Sequence, residues 1–333
     1  MPSKHLVDPE LLASLDAFPP LEFTKETLPL VRQGMDAMIA ATPAPEIAGV
    51  DVEERTLKTA QGHDIGIAIY TPREPTESHP AVLHIHGGGY VLGSVRMNDI
   101  SNRMLAVAAR CVIASVDYRL APETLHPGPI EDCYAALKWL YTNADALGVD
   151  RTRIAVSGES AGGGLAAALA LLARDRGEVP LLFQRLIYPM IDDRTAVQTD
   201  PHPFAGEFLW TPSANHFGWS SLLGREPGGA EVSHYAAPAR AVDLAGLPAA
   251  YISVGALDLF LEENLEYARR LMRAGVPTEL HVYPGAYHGF EIAPQAQVTQ
   301  AAQRDALNAM ARALHPNRSM ETLGGARSNG TSQ

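Results

Sequence analysis

The stretch RIAVSGESAGGGLAAALALL, residues 153–172, runs from a short β-branched segment through a serine between glycines into a long apolar segment. This order predicts a strand, a tight turn and a helix, with a G-x-S-x-G motif from Gly158 to Gly162 at the turn. A serine projecting from such a turn has a strained backbone, and side chains two residues to either side would collide, so glycine is needed there. The helix that follows directs its N-terminal dipole and free N–H groups towards Ser160.

Around this stretch, from about Val50 onwards, short β-branched runs alternate with longer amphipathic runs, which predicts an α/β fold with a mostly parallel sheet. Eight strands are predicted, at 50–58, 64–71, 80–86, 111–117, 152–157, 183–189, 249–255 and 278–283. Helices are predicted at 98–110, 129–147, 161–176, 262–274 and 296–314. Because only a few residues around Gly62 separate the first two strands, these should form an antiparallel hairpin, whereas the others suit parallel crossovers.

Two segments interrupt this alternation and are predicted to form a cap. The first, residues 1–45, shows amphipathic helical patterns broken by Pro19-Pro20 and Pro29, and the second, residues 190–235, is rich in aromatics and prolines. The catalytic domain would then comprise residues 46–189 and 236–316. The tail, 317–333, has almost no apolar content and is predicted to be disordered.

The charge balance restricts the classes of partner. There are 26 basic and 38 acidic residues, giving a net charge of −12, and no run of Lys or Arg forms a stripe that could track phosphates. Nucleic acid is therefore not expected as a partner. No apolar stretch approaches the roughly 20 residues that cross a bilayer, and the start MPSKHLVDPE lacks the apolar segment of a secretory signal, so a soluble cytoplasmic protein is expected. The sequence does not determine whether the chain forms a homodimer.

The two cysteines, Cys111 and Cys133, lie in apolar surroundings. Neither has a second cysteine or a histidine at metal-ligand spacing, so no metal site is predicted. We expect two buried free thiols, as in cytosolic proteins.

A base must remove the proton of Ser160 before its hydroxyl can act as a nucleophile. Of the twelve histidines, His288 lies directly after the last predicted strand and before the final helix, where loops cross the carboxyl edge of the sheet. Seven others lie in predicted strands or at their ends, in the hairpin or in the cap: His84, His86, His281, His63, His202, His216 and His234. His288 is therefore the predicted base.

The third member of such a site accepts a hydrogen bond from the imidazole, and in this kind of fold the chain order is serine, acid, histidine. Asp258 follows the strand AAYISVG and satisfies that order. Glu262 and Glu263 begin the next helix, where the helix dipole stabilises acids, so a structural interpretation is favoured for them. Asp258 is the predicted acid.

A developing oxyanion needs N–H donors that are fixed in place beforehand. The run His86-Gly87-Gly88-Gly89-Tyr90 follows a predicted strand in a suitable position, and glycine lets the backbone approach closely. Gly88 and Gly89 are the preferred donors, Gly87 is a further candidate, and the N–H of Ala161 should join them. His86 is expected to anchor the loop. A flexible loop or a phosphate cradle is the alternative, but no Gly-Lys-Ser/Thr follows, and the preceding strand also argues against a phosphate cradle.

Together, the motifs HGGGY, DYRLAPE (117–123), GESAGG and YHGFE resemble the bacterial hormone-sensitive-lipase family of type IV lipolytic esterases, from about residue 45 to 314. The resemblance implies an α/β-hydrolase fold with an eight-stranded sheet and a helical cap. It also implies cofactor-free hydrolysis of short- to medium-chain acyl esters through an acyl-enzyme. Two features depart from the family pattern: Glu159 stands where aspartate is common, and Asp258-Leu259-Phe260-Leu261-Glu262 replaces a proline-bearing pattern.

Several large side chains are candidates for the pocket of a small ester substrate, with ordinary packing of the cap as the alternative. They are Tyr90, Tyr188, Phe204, Phe208, Leu209 and Trp210.

Two other functions remain open at this point. Some relatives on this fold, such as the plant gibberellin receptor, bind small molecules and have lost the catalytic histidine, whereas this chain keeps His288. The same site chemistry would also open lactones, thioesters or acyl-peptides.

Overall fold

A computed structural model describes residues 3–18, 22–41 and 46–316. The remaining residues, which include Pro19-Pro20 and the predicted disordered tail, lie outside the described residues. The eight predicted strands are all present in one sheet with the order β1-β2-β4-β3-β5-β6-β7-β8. They are β1 Val50–Lys58, β2 Asp64–Pro72, β3 His79–Ile85, β4 Val112–Asp117, β5 Val149–Glu159, β6 Phe183–Ile187, β7 Ala249–Gly255 and β8 Thr278–Tyr283.

Strand directions follow the lengths of the connections. The hairpin is confirmed: β1 pairs with β2 antiparallel, from Val50 opposite Pro72 to Lys58 opposite Asp64, with Gly62 at a φ of +89° in the turn. Strand β2 is also antiparallel to β4, whereas the pairs from β3 to β8 are all parallel. A parallel sheet brings its strand ends to one edge, where the loops that carry the predicted site begin.

Two strands have an end that differs from the prediction by more than one residue. Strand β5 begins three residues earlier than expected, because Val149 already pairs with His79 of β3. Strand β6 ends two residues earlier, because Tyr188 has a φ of +33°, a left-handed conformation that cannot continue a strand.

Helices cover both faces of the sheet. They are α1 Leu12–Ala17, α2 Leu28–Ala41, α3 Asp99–Ala109, α4 Gly128–Thr142, α5 Ala161–Arg176, α6 Pro212–Leu223, α7 Leu261–Arg273 and α8 Gln297–Leu314. Side chains alternate between faces along each strand: Leu83 packs in the core cluster that includes α4, α5 and α7, and the adjacent Val82 packs in the cluster that includes α3 and α8. Burial on both faces explains why the strands are apolar runs with little alternation in the sequence.

One prediction about the N-terminal segment is wrong: Pro29 does not break a helix. It is the second residue of α2, which runs from Leu28 to Ala41. Proline is tolerated in the first turn because the N–H that it lacks would have no intrahelical acceptor there. A break is enforced only in a helix interior.

The two segments assigned to a cap contact each other. The ring of Phe23, from the N-terminal segment, lies 5.8 Å from that of Trp210 and is stacked 6.0 Å from that of Phe217 in α6. Arg32 of α2 connects the N-terminal segment to the loop after β3, because its Nε donates to the carbonyl oxygen of Val91 at 2.8 Å. These contacts support the predicted cap.

Cys111 and Cys133 are both buried and free, as predicted. Burial raises the pKa of the Cys111 thiol to about 12 and also raises that of Cys133, so both remain protonated. Within the described part of the chain, no helix has the length and apolar character needed to cross a membrane.

Candidate active site

Ser160 occupies the sharp turn between β5 and α5 that its glycine neighbours predict. Its φ of +57° and ψ of −122° lie outside the backbone regions that residues with a side chain favour. This conformation costs about 1–3 kcal/mol. Backbone bonds hold the turn: Ser160 N–H donates to the Ile187 carbonyl at 2.9 Å, and the Ser160 carbonyl accepts from Gly164 and Met190, each at 2.9 Å. The strain is thus maintained by β6 and the loop after it.

Glycine is required on both sides of Ser160 because the backbone passes too close for a side chain. A Cβ atom at Gly158 would lie 2.2 Å from the carbonyl oxygen of Gly162. One at Gly162 would lie 2.1 Å from the carbonyl oxygen of Ile85, at the end of β3. The G-x-S-x-G spacing therefore brings the start of α5 against the loop that follows β3.

The three side chains predicted to act together are hydrogen-bonded to one another. His288 follows β8, and its Nε2 lies 2.9 Å from Ser160 Oγ. Its Nδ1 lies 2.9 Å from Oδ2 of Asp258, which follows β7 and is fully buried. An N–H on Nδ1 that donates to Asp258 leaves Nε2 free to accept from the serine hydroxyl.

Aromatic rings enclose the imidazole of His288. The ring of Tyr188 lies 4.6 Å away edge-on, that of Phe260 5.1 Å away and perpendicular, and that of Trp210 6.3 Å away. The sequence-based reasoning did not find Phe260, although its position two residues after Asp258 was a usable signal. Its backbone N–H also donates to Asp258 Oδ1 at 2.9 Å, so Phe260 helps to orient the acid.

The two alternative acids lie elsewhere. Glu262 is exposed. Glu263 is buried and accepts hydrogen bonds from the backbone N–H groups of Ile191 at 2.8 Å and Asp192 at 3.3 Å, and from the hydroxyl of Thr195. Burial raises the pKa of the Glu263 carboxyl. Glu263 therefore connects α7 to the insertion and does not contact His288.

The glycine loop lies beside the nucleophile. A Cβ atom at Gly87 would lie 3.4 Å from that of Ser160, and one at Gly89 would lie 2.0 Å from Cη2 of Trp210. Gly88 and Gly89 have φ values of +114° and +60°. Among the described residues, no backbone carbonyl accepts from the N–H groups of Gly88 or Gly89, so these remain available to a ligand.

His86 anchors this loop, as expected from its position. Its ring stacks on Tyr118 with centroids 4.3 Å apart, and its Nδ1 lies 2.8 Å from the carbonyl oxygen of Gly87. The hydroxyl of Tyr118 donates to the His86 carbonyl at 3.0 Å. His86 is fully buried, and this burial lowers its pKa to about 4, so the ring is neutral at pH 7.

Acid is expected to destabilise the fold through His86. Its pKa is about 4 in the folded chain and 6.5 ordinarily, so the unfolded chain takes up this proton first as the pH falls. The free energy of unfolding should keep its full value above pH 6.5 and fall by up to about 3 kcal/mol towards pH 4. Urea unfolding across this range measures the slope. The variant His86→Phe should show a shallower slope, and equal slopes would contradict this assignment.

The predicted pocket residues take different positions. Tyr188 and Trp210 face His288, and Leu209 lies next to Gly289, its Cδ1 3.8 Å from where a Cβ of that glycine would be. The other three do not face the imidazole. Phe204 is 42% exposed, Phe208 is buried against Tyr287, and Tyr90 is fully buried with its hydroxyl donating to the Met190 carbonyl.

Glu159, the departure from the family pattern, takes part in a polar network below the nucleophile. Its carboxylate lies 2.9 Å from Nε2 of His84 and 3.3 Å from the guanidinium of Arg185. The amide Nδ2 of Asn102, which can only donate, lies 3.2 Å from Nδ1 of His84, so Nε2 carries the proton. Burial disfavours the charged carboxylate, but His84 and Arg185 outweigh it and hold the pKa of Glu159 below its ordinary value.

Comparison with known proteins places the chain among related sequences and structures. Residues 82–292 match the model of a family described as having the alpha/beta hydrolase fold. The chain is 35% identical over 316 residues to carboxylesterase NlhH of Mycobacterium tuberculosis, covering 93% of this chain and 97% of the relative. It is 36% identical to esterase LipI of the same organism, covering 86% and 88%. Among solved structures, a bacterial heroin esterase superposes with a TM-score of 0.87 at 41% identity, covering 95% of this chain and 99% of that one.

Proposed function

The chain belongs to the α/β-hydrolase fold family, in its hormone-sensitive-lipase-like group, and is a serine carboxylic ester hydrolase; from this premise we propose that Ser160, His288 and Asp258 are its catalytic triad. The observation that carries the proposal is the continuous pair of 2.9 Å hydrogen bonds from Ser160 through His288 to Asp258. The esterase names of the relatives do not favour a non-catalytic receptor.

In the proposed mechanism, Ser160 Oγ attacks the ester carbonyl while His288 Nε2 takes its proton. The fully buried carboxylate of Asp258 stabilises the imidazolium that forms. His288 then donates the proton to the departing alkoxide, so the alcohol leaves and an acyl-enzyme remains on Ser160. Water, deprotonated by His288, attacks the acyl carbon, and His288 returns the proton to Ser160 Oγ as the bond between Oγ and the acyl carbon breaks and the carboxylic acid leaves.

The oxyanion of each tetrahedral intermediate would be held by backbone N–H groups of Gly88, Gly89 and Ala161, with Gly87 as a further candidate. Ala161 is the first residue of α5, and the N–H groups of a first helical turn have no intrahelical acceptor. Donors fixed in this way cost no reorganisation during the reaction. Removing one such donor typically lowers kcat by about 10²- to 10³-fold.

We propose that Tyr188, Leu209 and Trp210 line the substrate pocket. Phe23 packs on Trp210 and so joins the N-terminal segment to this wall, while Tyr90, which is fully buried and donates to the Met190 carbonyl, is left out of the pocket. On this proposal the cap comprises the N-terminal segment and residues 190–235, and the catalytic domain comprises 46–189 and 236–316.

Short acyl chains are expected to be the better substrates, because the rings of Tyr188, Trp210 and Phe260 lie around His288. The test measures kcat/KM for p-nitrophenyl acetate, butyrate, octanoate and palmitate. We expect acetate and butyrate to exceed palmitate by at least about tenfold. A preference for palmitate would contradict the proposed pocket, and failure to cleave any ester would contradict the proposed mechanism.

A further inference from the structure

A cavity of about 580 Å³ lies between α3 and α8, on the face of the sheet opposite α5. Its walls are largely apolar and include Met104 and Leu105 of α3 and Leu307 of α8. Its floor is polar and includes Glu159, Arg185, Tyr188 and Glu291. Apolar walls with a few polar groups at one end are typical of small-molecule sites.

The polar floor adjoins the triad. Glu159 directly precedes Ser160, and the ring of Tyr188 lies edge-on to that of His288 at 4.6 Å. The hydroxyl of Tyr188 donates to Glu291 Oε2 at 2.8 Å. The Tyr188 side chain therefore contacts both the triad and a carboxylate that lines the cavity.

The two carboxylates of the floor differ in their partners. Glu159 has the guanidinium of Arg185 at 3.3 Å and His84 at 2.9 Å, so its charge is offset. For Glu291, no lysine or arginine among the described residues forms an ion pair, and its hydrogen-bonded side-chain partner is the neutral Tyr188 hydroxyl. Arg304, at the rim, is 65% exposed and lies 3.4 Å from Asp305. The floor thus has one carboxylate without a cationic partner.

A carboxylate held away from water without a cation is unfavourable, and it becomes protonated or acquires a positive partner. Burial is the main cause that raises the pKa of Glu291 to about 7, and the negative charge of Glu159 raises it further. The hydrogen bond from Tyr188 and the nearby His288 lower this pKa but do not outweigh burial. A bound cation would favour the ionised form. Asn98 adds a second acceptor to the lining, because its buried Oδ1 has no hydrogen-bond partner within the described residues.

We propose that this cavity binds an ammonium group on the ester substrate, with the carboxylate of Glu291 as its counter-ion. The Tyr188 ring would lie beside the cation, and the apolar walls would accommodate alkyl groups on the nitrogen. The substrate class is therefore an ester of an amino alcohol or of an amino-substituted acid. This inference rests on the proposed function, since the same Ser160 must cleave the bound ester.

The test compares esters that differ only by a quaternary nitrogen in place of carbon. One pair varies the alcohol, choline butyrate against 3,3-dimethylbutyl butyrate, and the other varies the acid, ethyl 4-(trimethylammonio)butyrate against ethyl 5,5-dimethylhexanoate. In at least one pair, kcat/KM for the cationic ester should exceed kcat/KM for the neutral ester by about tenfold at pH 8. The preference should shrink at pH 6, where Glu291 is mostly protonated and the quaternary probe keeps its charge.

The variant Glu291→Gln keeps the shape of the side chain and removes its charge, so the ratio of cationic to neutral kcat/KM should fall to about one. Glu291→Asp should retain part of the preference, and Glu262→Gln, an exposed acid at the start of α7, should leave the ratio unchanged. A wild-type ratio near one in both pairs, or a preference that survives Glu291→Gln, would overturn the inference. If the wild type cleaved none of the neutral esters, that result would instead overturn the proposed function.

Discussion

Replacing Ser160 by alanine is expected to abolish ester turnover, with kcat for p-nitrophenyl butyrate falling roughly a million-fold. The change removes the atom that lies 2.9 Å from His288 Nε2, and no acyl-enzyme can form without it. The fold should survive, because the turn is held by backbone bonds of Ser160 to Ile187, Gly164 and Met190. Steady-state kinetics on the purified variant, with circular dichroism as a check on folding, measure the effect.

A second measurement identifies the nucleophile directly. A fluorophosphonate should add once to the wild type, at Ser160 by peptide mass spectrometry, and should not add to Ser160→Ala. Ser213→Ala, at an exposed position in α6, is the matched control and should retain wild-type turnover and labelling. Turnover by Ser160→Ala within about tenfold of wild type would refute the assignment.

Replacing Asp258 by asparagine should lower kcat by about 10⁴-fold with little change in KM. The carboxylate accepts from His288 Nδ1 at 2.9 Å and so keeps the proton on that nitrogen. An amide nitrogen facing Nδ1 would instead donate to it, leaving the proton on Nε2, which could then no longer accept from Ser160. The pH profile of kcat/KM checks the cause, because a destabilised imidazolium shifts its lower limb.

Asparagine retains an oxygen that can accept from the Phe260 N–H, so the loop around position 258 should keep its structure. Because the three residues act as a unit, Ser160→Ala combined with Asp258→Asn should be no slower than Ser160→Ala alone. The variant Glu263→Ala tests the rejected acid: it removes the acceptor of the Ile191 and Asp192 N–H groups, so it should lower stability far more than it lowers kcat. A loss below tenfold in Asp258→Asn would mean that another group orients His288.

The architecture was predictable because each element carries its own pattern. Strands buried on both faces are apolar runs, and helices such as α8 carry apolar residues at helical spacing, so their existence and approximate bounds follow from local sequence. The errors occurred where the backbone conformation of one residue sets the end of an element. The left-handed φ of Tyr188 ends β6 early, and Pro29 lies in the first turn of α2.

The triad candidates Ser160, Asp258 and His288 were identifiable from local sequence, because each follows a different predicted strand and parallel strands end at one edge of a sheet. The tertiary structure alone decided which side chains surround them. Phe260 and Tyr188 enclose His288, and Glu291 faces the α3–α8 cavity without a cationic partner. The physical reason is that periodicity and turn chemistry act over a few residues, whereas burial and ion pairing depend on groups brought together from distant parts of the chain.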